Sequence, residues 1–293
     1  MTRAKILLAI CGLFFLLNCG DGDSSLLQMR LISIDGASNF RDFGGYLTAS
    51  GKTVRWRQLY RSSNLSELTD MGLETFESLG IRMVIDLRSS AEIESDPDRL
   101  AQGVDWQNIT LETSSIGAAL IQALQTGDTS GLEFDKLVQG YAEFYISNVE
   151  QYGELLPLVM SSDNRPIDIH CTSGATRTGF TVALIQLMLG VTEVWVMDDF
   201  LLTNEVIASD IQETVESFRE MIIANTGQEP TEEDMENLTN FATTHSEYLQ
   251  AALDRVVEEY GSFDDFIRDG IGITDGQRSA FRKSLLWGNS NAS

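Results

Sequence analysis

Histidine and cysteine are scarce in this chain, two and three residues among 293. Neither histidine, His170 or His245, has Asp, Glu or Cys neighbours at metal-ligand spacing, and no glycine-rich nucleotide loop is present, so no metal or cofactor is expected. Cys11 and Cys19 both fall within the first twenty residues. Cys171 is therefore alone in the folded part, and no internal disulfide can form there. Positive charge is also sparse: 20 basic against 44 acidic residues give a net charge of −24. Such a field repels nucleic acid and anionic lipid surfaces, so no nucleic-acid partner is expected. No Pro/Gly/Ser-rich linker interrupts the middle, and 43% hydrophobic residues suffice for one ordinary core over residues 30–290.

The one long apolar run lies at the start. Arg3 and Lys5 precede Ile6–Leu17, which is too short to span a bilayer comfortably and has the shape of an export signal. Leu16-Leu17-Asn18-Cys19 resembles a lipoprotein cleavage box with Cys19 as the lipidated residue. Residues 1–19 thus read as an export or lipoprotein signal and 20–29 as a tether, which places the protein in the periplasm or on the outer membrane of a bacterium. A plain signal peptide or an uncleaved anchor is the alternative. The membrane is expected as a partner only through the lipid. A lone thiol in an oxidising compartment is a liability unless it has a chemical task.

Apolar runs of strand length alternate with helical patterns. Leu31–Ile34, Ile81–Leu87, Trp106–Leu111 and the stretch "PIDIHC" read as strands. Helices are predicted at Thr69–Leu79, Gly117–Gln125, Phe134–Asn148, Tyr152–Met160 and Arg177–Leu189, with only helices from Thr192 onward. This order predicts an α/β fold with a mainly parallel central sheet flanked by helices and a helical C-terminal part.

Between a strand and a helix stands "IHCTSGATRTGF" (169–180). With Cys171 at the strand's end and Arg177 in the helix's first turn, the N–H groups of Thr172, Ser173, Gly174, Ala175 and Thr176 converge on one point. The helix N-terminus adds positive potential there, which makes a cradle for a tetrahedral dianion. The same field favours the thiolate of Cys171. Arg177 can grip two phosphate oxygens through its planar fork. Gly174 admits the backbone close to the anion. A thiolate aimed at phosphorus gives a cysteinyl-phosphate intermediate, and Thr178 stands where it can hydrogen-bond the sulfur and ease its departure.

At this point the sequence resembles the bacterial tyrosine-phosphatase-like family, which is related to a secreted mycobacterial phosphatase acting on phosphotyrosine and phosphoinositides. "NFRDFGGY", "GKTVRWRQLYRSSNLSELT", "MVIDLRSSAEIE", "HC…GxxRTG", "DDFLLTNE" and "YGSFDDFIRDGIGITDGQRSAFRKSLL" resemble that family's blocks in order, over nearly the whole mature chain. The resemblance implies the cysteine-phosphatase (CX5R) fold, with Cys171 as nucleophile, Arg177 as phosphate clamp and a helical lid within Phe200–His245. The family's loop reads His-Cys-x-Ala-Gly-Lys-Asp-Arg-Thr-Gly. Here Ala175 stands for its lysine and Thr176 for its aspartate, a proposed proton donor. Loss of a general acid typically costs about 10²–10⁴-fold, more for alkyl than for aryl phosphates.

Asp86, at the end of the strand "MVIDLR", is the first candidate for a replacement acid. Asp42, Asp198 and Asp199 follow, although Asp42 also reads as a turn former and Asp199 as an N-cap. Arg41 and Arg88 are candidates for the missing positive charge, or structural ion-pair partners. His170 reads as an orienting or thiolate-stabilising residue, and His245 has no assigned role. Two functions lead: a phosphatase hydrolysing phosphomonoesters of a protein or small molecule, with phosphotyrosine or another aryl phosphate favoured, and a phosphate-binding module with little or no turnover. Sulfur transfer stays formally open, but the Arg177-Thr178-Gly179 ending argues for phosphate.

Overall fold

The computed structural model describes residues 29–288. The segment expected to direct export, with Cys11 and Cys19, lies outside the described residues. Five strands form the central sheet: β1 (Arg41–Asp42), β3 (Leu59–Ser62), β4 (Met83–Asp86), β5 (Asp105–Asn108) and β6 (Ile167–His170). Their order is β1-β3-β6-β4-β5, with β6 at the centre. β3, β6, β4 and β5 are parallel, and only β1 runs antiparallel, against β3. The sheet is therefore mainly parallel and flanked by helices.

Each of β3, β4 and β6 is buried along its whole length, as parallel strands covered on both faces must be. The two-residue alternation of side chains sorts them between two cores. Leu59, Met83, Ile85, Ile167 and Ile169 face the larger core, and Cys171 continues that row. Tyr60 and Val84 face the smaller one, with Phe40 and Phe76. His170 is thereby sent to the opposite face from Cys171.

The helix Thr176–Leu189 is apolar nearly all round and buried over most of its length, as a central helix should be. Phe180 anchors it, stacking on Phe144 with ring centroids 4.5 Å apart and meeting Tyr141, Tyr145 and Phe200. Gly190, at a left-handed φ of +87°, ends the helix.

Several expectations need correction. Leu31–Ile34 is not a strand, since only single bridges form, from Leu31 to Arg41 and from Ile34 to Ala37. Phe134–Asn148 is not one helix: it divides into Phe134–Ala142 and Phe144–Ser147. The buried Asn148 accounts for the second break, because its Nδ2 donates to the carbonyls of Phe144 and Glu112 while its Oδ1 accepts from the Glu112 N–H. The C-terminal part is not purely helical either. Leu286–Trp287 forms β7, antiparallel to β2 (Thr53–Val54). Within Phe200–His245, the helix Ala208–Thr226 lies on Ser114–Thr126, where Asn225 Nδ2 donates to the Leu124 carbonyl, and Thr244 is bonded back to Asn204.

Candidate active site

Cys171 follows β6 directly, and the helix Thr176–Leu189 begins five residues later. The sulfur residue is only 2% exposed, whereas Thr172 and Ser173 at the rim are exposed. Gly174 takes φ +67°, and a Cβ there would sit 2.2 Å from the Ser62 carbonyl oxygen. Only glycine fits this position.

The loop's carbonyls are turned outward. The Asn64 N–H donates to the Thr172 carbonyl (2.9 Å), Asn39 Nδ2 to Ser173 (3.0 Å) and Arg61 Nη2 to Gly174 (2.7 Å). The N–H groups of Gly174 and Thr178 are directed at the Cys171 sulfur. Burial opposes ionisation of the thiol, but Arg177, the Thr178 hydroxyl and these two N–H groups outweigh it and hold its pKa below the ordinary value. Among the described residues the Thr178 hydroxyl has no nitrogen or oxygen partner, which leaves it to the sulfur.

Arg177 is not alone. Its Nη1 donates to Glu92 Oε2 (2.8 Å) and its Nη2 to Oε1 (2.6 Å), a two-pronged pair of the kind arginine forms with carboxylates. Thr172 Oγ1 donates to the same Oε1 (2.6 Å), and the Ser89 N–H and hydroxyl donate to Oε2. Glu92 is third in the short helix Ser90–Ser95 and closes a capping box with Ser89. Burial alone would raise its pKa, yet Arg177, Thr172 and Ser89 hold the carboxyl well below the usual range. The result is a buried thiolate-favouring sulfur with an oriented guanidinium and the N–H groups of Gly174 and Thr178 directed at it.

The profile of the tyrosine phosphatase family matches residues 32–287. This chain belongs to that family. The triple specificity protein phosphatase PtpB of Mycobacterium tuberculosis is 29% identical over 280 residues, covering 88% of this chain and all of that protein. A protein of Cupriavidus necator named as a tyrosine-protein phosphatase is 25% identical over 242 residues, 83% of this chain and 84% of its own. Among solved structures, the core catalytic domain of the S. cerevisiae PP-IP phosphatase Siw14 aligns over 67% of this chain and 82% of its own at 12% identity, with a TM-score of 0.29. The family match and the two bacterial relatives support a cysteine-based phosphatase rather than a module that only binds phosphate.

In this phosphatase Asp86 does reach the loop's rim, paired in register with His170. It is fully buried, however, and its Oδ1 and Oδ2 accept from Arg88 Nε and Nη2 at 2.8–3.1 Å. The remaining candidates are placed as follows. Asp42 accepts from the Gly44 and Arg57 N–H groups as a turn former, and burial raises its pKa to about 6. Asp199 is not an N-cap: Thr192 caps the helix Glu193–Val206, and Asp199 lies buried inside it. There it pairs with Arg41 (3.3 Å) and Arg61 (2.8 Å) and accepts from the Tyr46 hydroxyl (3.0 Å). Asp198, its neighbour, faces solvent. Arg41 and Arg88 are both spent on buried carboxylates and bring no charge to the loop. Ala175 is buried at the helix cap, and Thr176 opens the helix beside the Tyr141 phenol, whose pKa burial pushes up to about 12.

His170 Nδ1 lies 3.1 Å from the Cys171 carbonyl oxygen and its Nε2 3.1 Å from Asp98 Oδ2. Burial lowers its pKa, but Asp98, Asp86 and Asp168 raise it to about 9, so the ring is an imidazolium at neutral pH. Asp86, Asp98 and His170 do come within 4.8 Å of one another, a grouping invisible in the sequence. The Arg88 guanidinium bridges the two carboxylates (2.8 and 2.9 Å), which makes this an ion-pair cluster. His245 caps a distant helix and packs on Phe134 and Tyr248.

Sequence reasoning missed Glu92, Asn39, Arg61 and Asp98. Glu92 stood in the block "MVIDLRSSAEIE", where the Ser-x-x-Glu spacing of Ser89 and Glu92 signals only a capped helix.

Proposed function

We propose that this phosphatase hydrolyses aryl phosphomonoesters, phosphotyrosine foremost, through a cysteinyl-phosphate on Cys171. The thiolate attacks phosphorus, the P–O bond to the leaving group breaks, and the aryloxide departs. Water then attacks the phosphorus, the P–S bond breaks, and inorganic phosphate leaves as the thiolate is restored. Arg177 grips two of the non-bridging oxygens, the amides of Thr172–Thr176 take the rest, and Thr178 hydrogen-bonds the departing sulfur.

The observation that carries this reading is geometric: Arg177, the Thr178 hydroxyl and the N–H groups of Gly174 and Thr178 surround the Cys171 sulfur, which favours its thiolate. The preference for aryl esters follows from the carboxylates at the rim. Glu92 is held ionised by Arg177 and has no proton to give, and both carboxylate oxygens of Asp86 are turned onto Arg88. A phenolate leaves without a proton; an alkoxide does not. The position of Asp86 thus argues for a structural role rather than the proton-donor role expected of it.

The test is steady-state hydrolysis of an aryl phosphate and of an inositol phosphate by the mature protein and its Cys171→Ser variant. Aryl turnover that disappears in the variant is expected; wild-type protein with no turnover on either ester would sink the reading.

The same reading includes export. The basic-apolar start and the Leu16–Cys19 box support a lipoprotein anchored through Cys19, with the phosphatase domain outside the cytoplasm. Incorporation of labelled fatty acid that is lost in Cys19→Ser is the expected result.

A further inference from the structure

A peptide unit is planar and its N–H and C=O point in opposite directions, so loop amides can face an anion only while the adjoining carbonyls face away. Thr172, Ser173 and Gly174 each have such a carbonyl, and each is held by a donor from the first quarter of the chain. One donor, the Asn64 N–H, is backbone. The other two, Asn39 Nδ2 and Arg61 Nη2, are side chains. Both trace to one buried carboxylate. Arg61 Nη1 meets Asp199 Oδ2 at 2.8 Å. Asn39 is held by Arg41, which donates to its carbonyl (3.4 Å) and to its Oδ1, and Arg41 Nε meets Asp199 Oδ1 at 3.3 Å.

Asn39 has a left-handed backbone, φ +58°. Asparagine tolerates this conformation better than most residues, but it costs energy and needs support from its surroundings. Arg61 is completely buried, an expensive place for a guanidinium, and one of its two Nη atoms serves a neutral carbonyl instead of a second carboxylate. Both features are costs to the fold, and both end at the phosphate loop.

We propose that Asn39 and Arg61 are positioning residues of the anion cradle, each holding one loop carbonyl outward so that the amides stay turned on Cys171 and on a bound oxyanion, with Asp199 fixing the pair. The proposal rests on the phosphatase reading of the loop. Neither residue touches substrate. Together they link the blocks "NFRD", "LYRS" and "DDFLL" to the loop, and they tie the helix Glu193–Val206 to the cradle.

Asn39→Gly removes the Nδ2 donor while leaving a residue that accepts positive φ. Asn39→Asp keeps an oxygen for Arg41 and turns a second oxygen, an acceptor, toward the Ser173 carbonyl. Two readings are taken well below each variant's melting temperature: inhibition by orthovanadate, and the pH midpoint for alkylation of Cys171 by iodoacetamide. One lost hydrogen bond predicts vanadate binding weaker by about five- to tenfold in Asn39→Gly. A larger loss is expected in Asn39→Asp, with the alkylation midpoint raised in both. Folded Asn39→Gly with unchanged vanadate inhibition and an unchanged midpoint overturns the proposal and leaves Asn39 a core residue. If Asn39→Gly does not fold, Asn39→Asp decides by the same two readings. Wild-type protein that neither binds vanadate nor turns over an aryl phosphate overturns the phosphatase reading first, and this one with it.

Discussion

Glu92 grips Arg177 fork to fork, at 2.8 and 2.6 Å, across 85 positions of sequence. The pair fixes the plane of the guanidinium beside Cys171 and divides its charge between carboxylate and sulfur. Glu92→Gln keeps the size and loses the charge. We expect kcat/KM for an aryl phosphate to fall about tenfold, equivalent to about 1.4 kcal/mol of transition-state stabilisation. The alkylation midpoint of Cys171 should move lower still, because the full charge of Arg177 then acts on the thiol. An unchanged kcat/KM would mean that the loop alone holds Arg177.

Asp86 tests the difference between a proton donor and an ion-pair partner. Asp86→Asn leaves Arg88 buried with only Asp98 to balance it, and breaking such a pair typically costs about 3–5 kcal/mol. Denaturant unfolding should show that loss, while the ratio of aryl to alkyl phosphate turnover stays as in the wild type. A collapse of alkyl turnover with stability intact would restore Asp86 as the acid.

Thr176 stands at the mouth of the loop with no carboxylate of its own. Aryl phosphates with progressively more basic leaving groups should therefore react progressively more slowly. Thr176→Asp adds a carboxylic acid within the helix's first turn. Turnover of an alkyl phosphate should rise by about 10²-fold, the low end of what a placed acid contributes. If the slope of rate against leaving-group pKa is unaltered in this variant, no acid is missing at that position.

His170 makes a pH-dependent contribution to stability. Its pKa is raised from 6.5 to about 9 in the fold, so folding favours the protonated ring. The stabilisation is complete below pH 6.5 and is lost as pH rises toward 9, on the order of 3 kcal/mol in all. Asp42 and Asp168, whose pKa values burial raises to about 6, complete their own loss at lower pH. The melting temperature should thus fall between pH 6.5 and 9, and His170→Asn should flatten that slope. A wild-type melting temperature constant across this window would exclude an imidazolium at this site.

Cys171, Gly174, Arg177 and Thr178 could be read from the sequence because they lie within one turn and one loop, where spacing alone sets geometry. The parallel sheet was legible for a similar reason: runs buried on both faces look the same whatever they pair with. The strand β7 was not legible, since Leu286–Trp287 gains its pairing only from β2, far earlier in the chain. The break after Ser147 depended on Asn148 reaching Glu112. Asp199 illustrates the limit most clearly. An aspartate in a Thr/Asp-rich stretch reads as a cap, and nothing local reveals that two arginines from β1 and β3 will enclose it.

The sequence by itself determined where the candidate chemistry lies: a cysteine and an arginine six positions apart on one glycine-bearing loop between a strand and a helix, with Ala175 and Thr176 between them. Only the tertiary structure decided which groups surround that loop. Glu92 on Arg177, Asn39 and Arg61 on the loop carbonyls, and Arg88 on Asp86 are contacts between distant segments. Their partners are chosen by the stacking of strands and helices, and a charged side chain carries no mark in the sequence of the opposite charge it will be buried against.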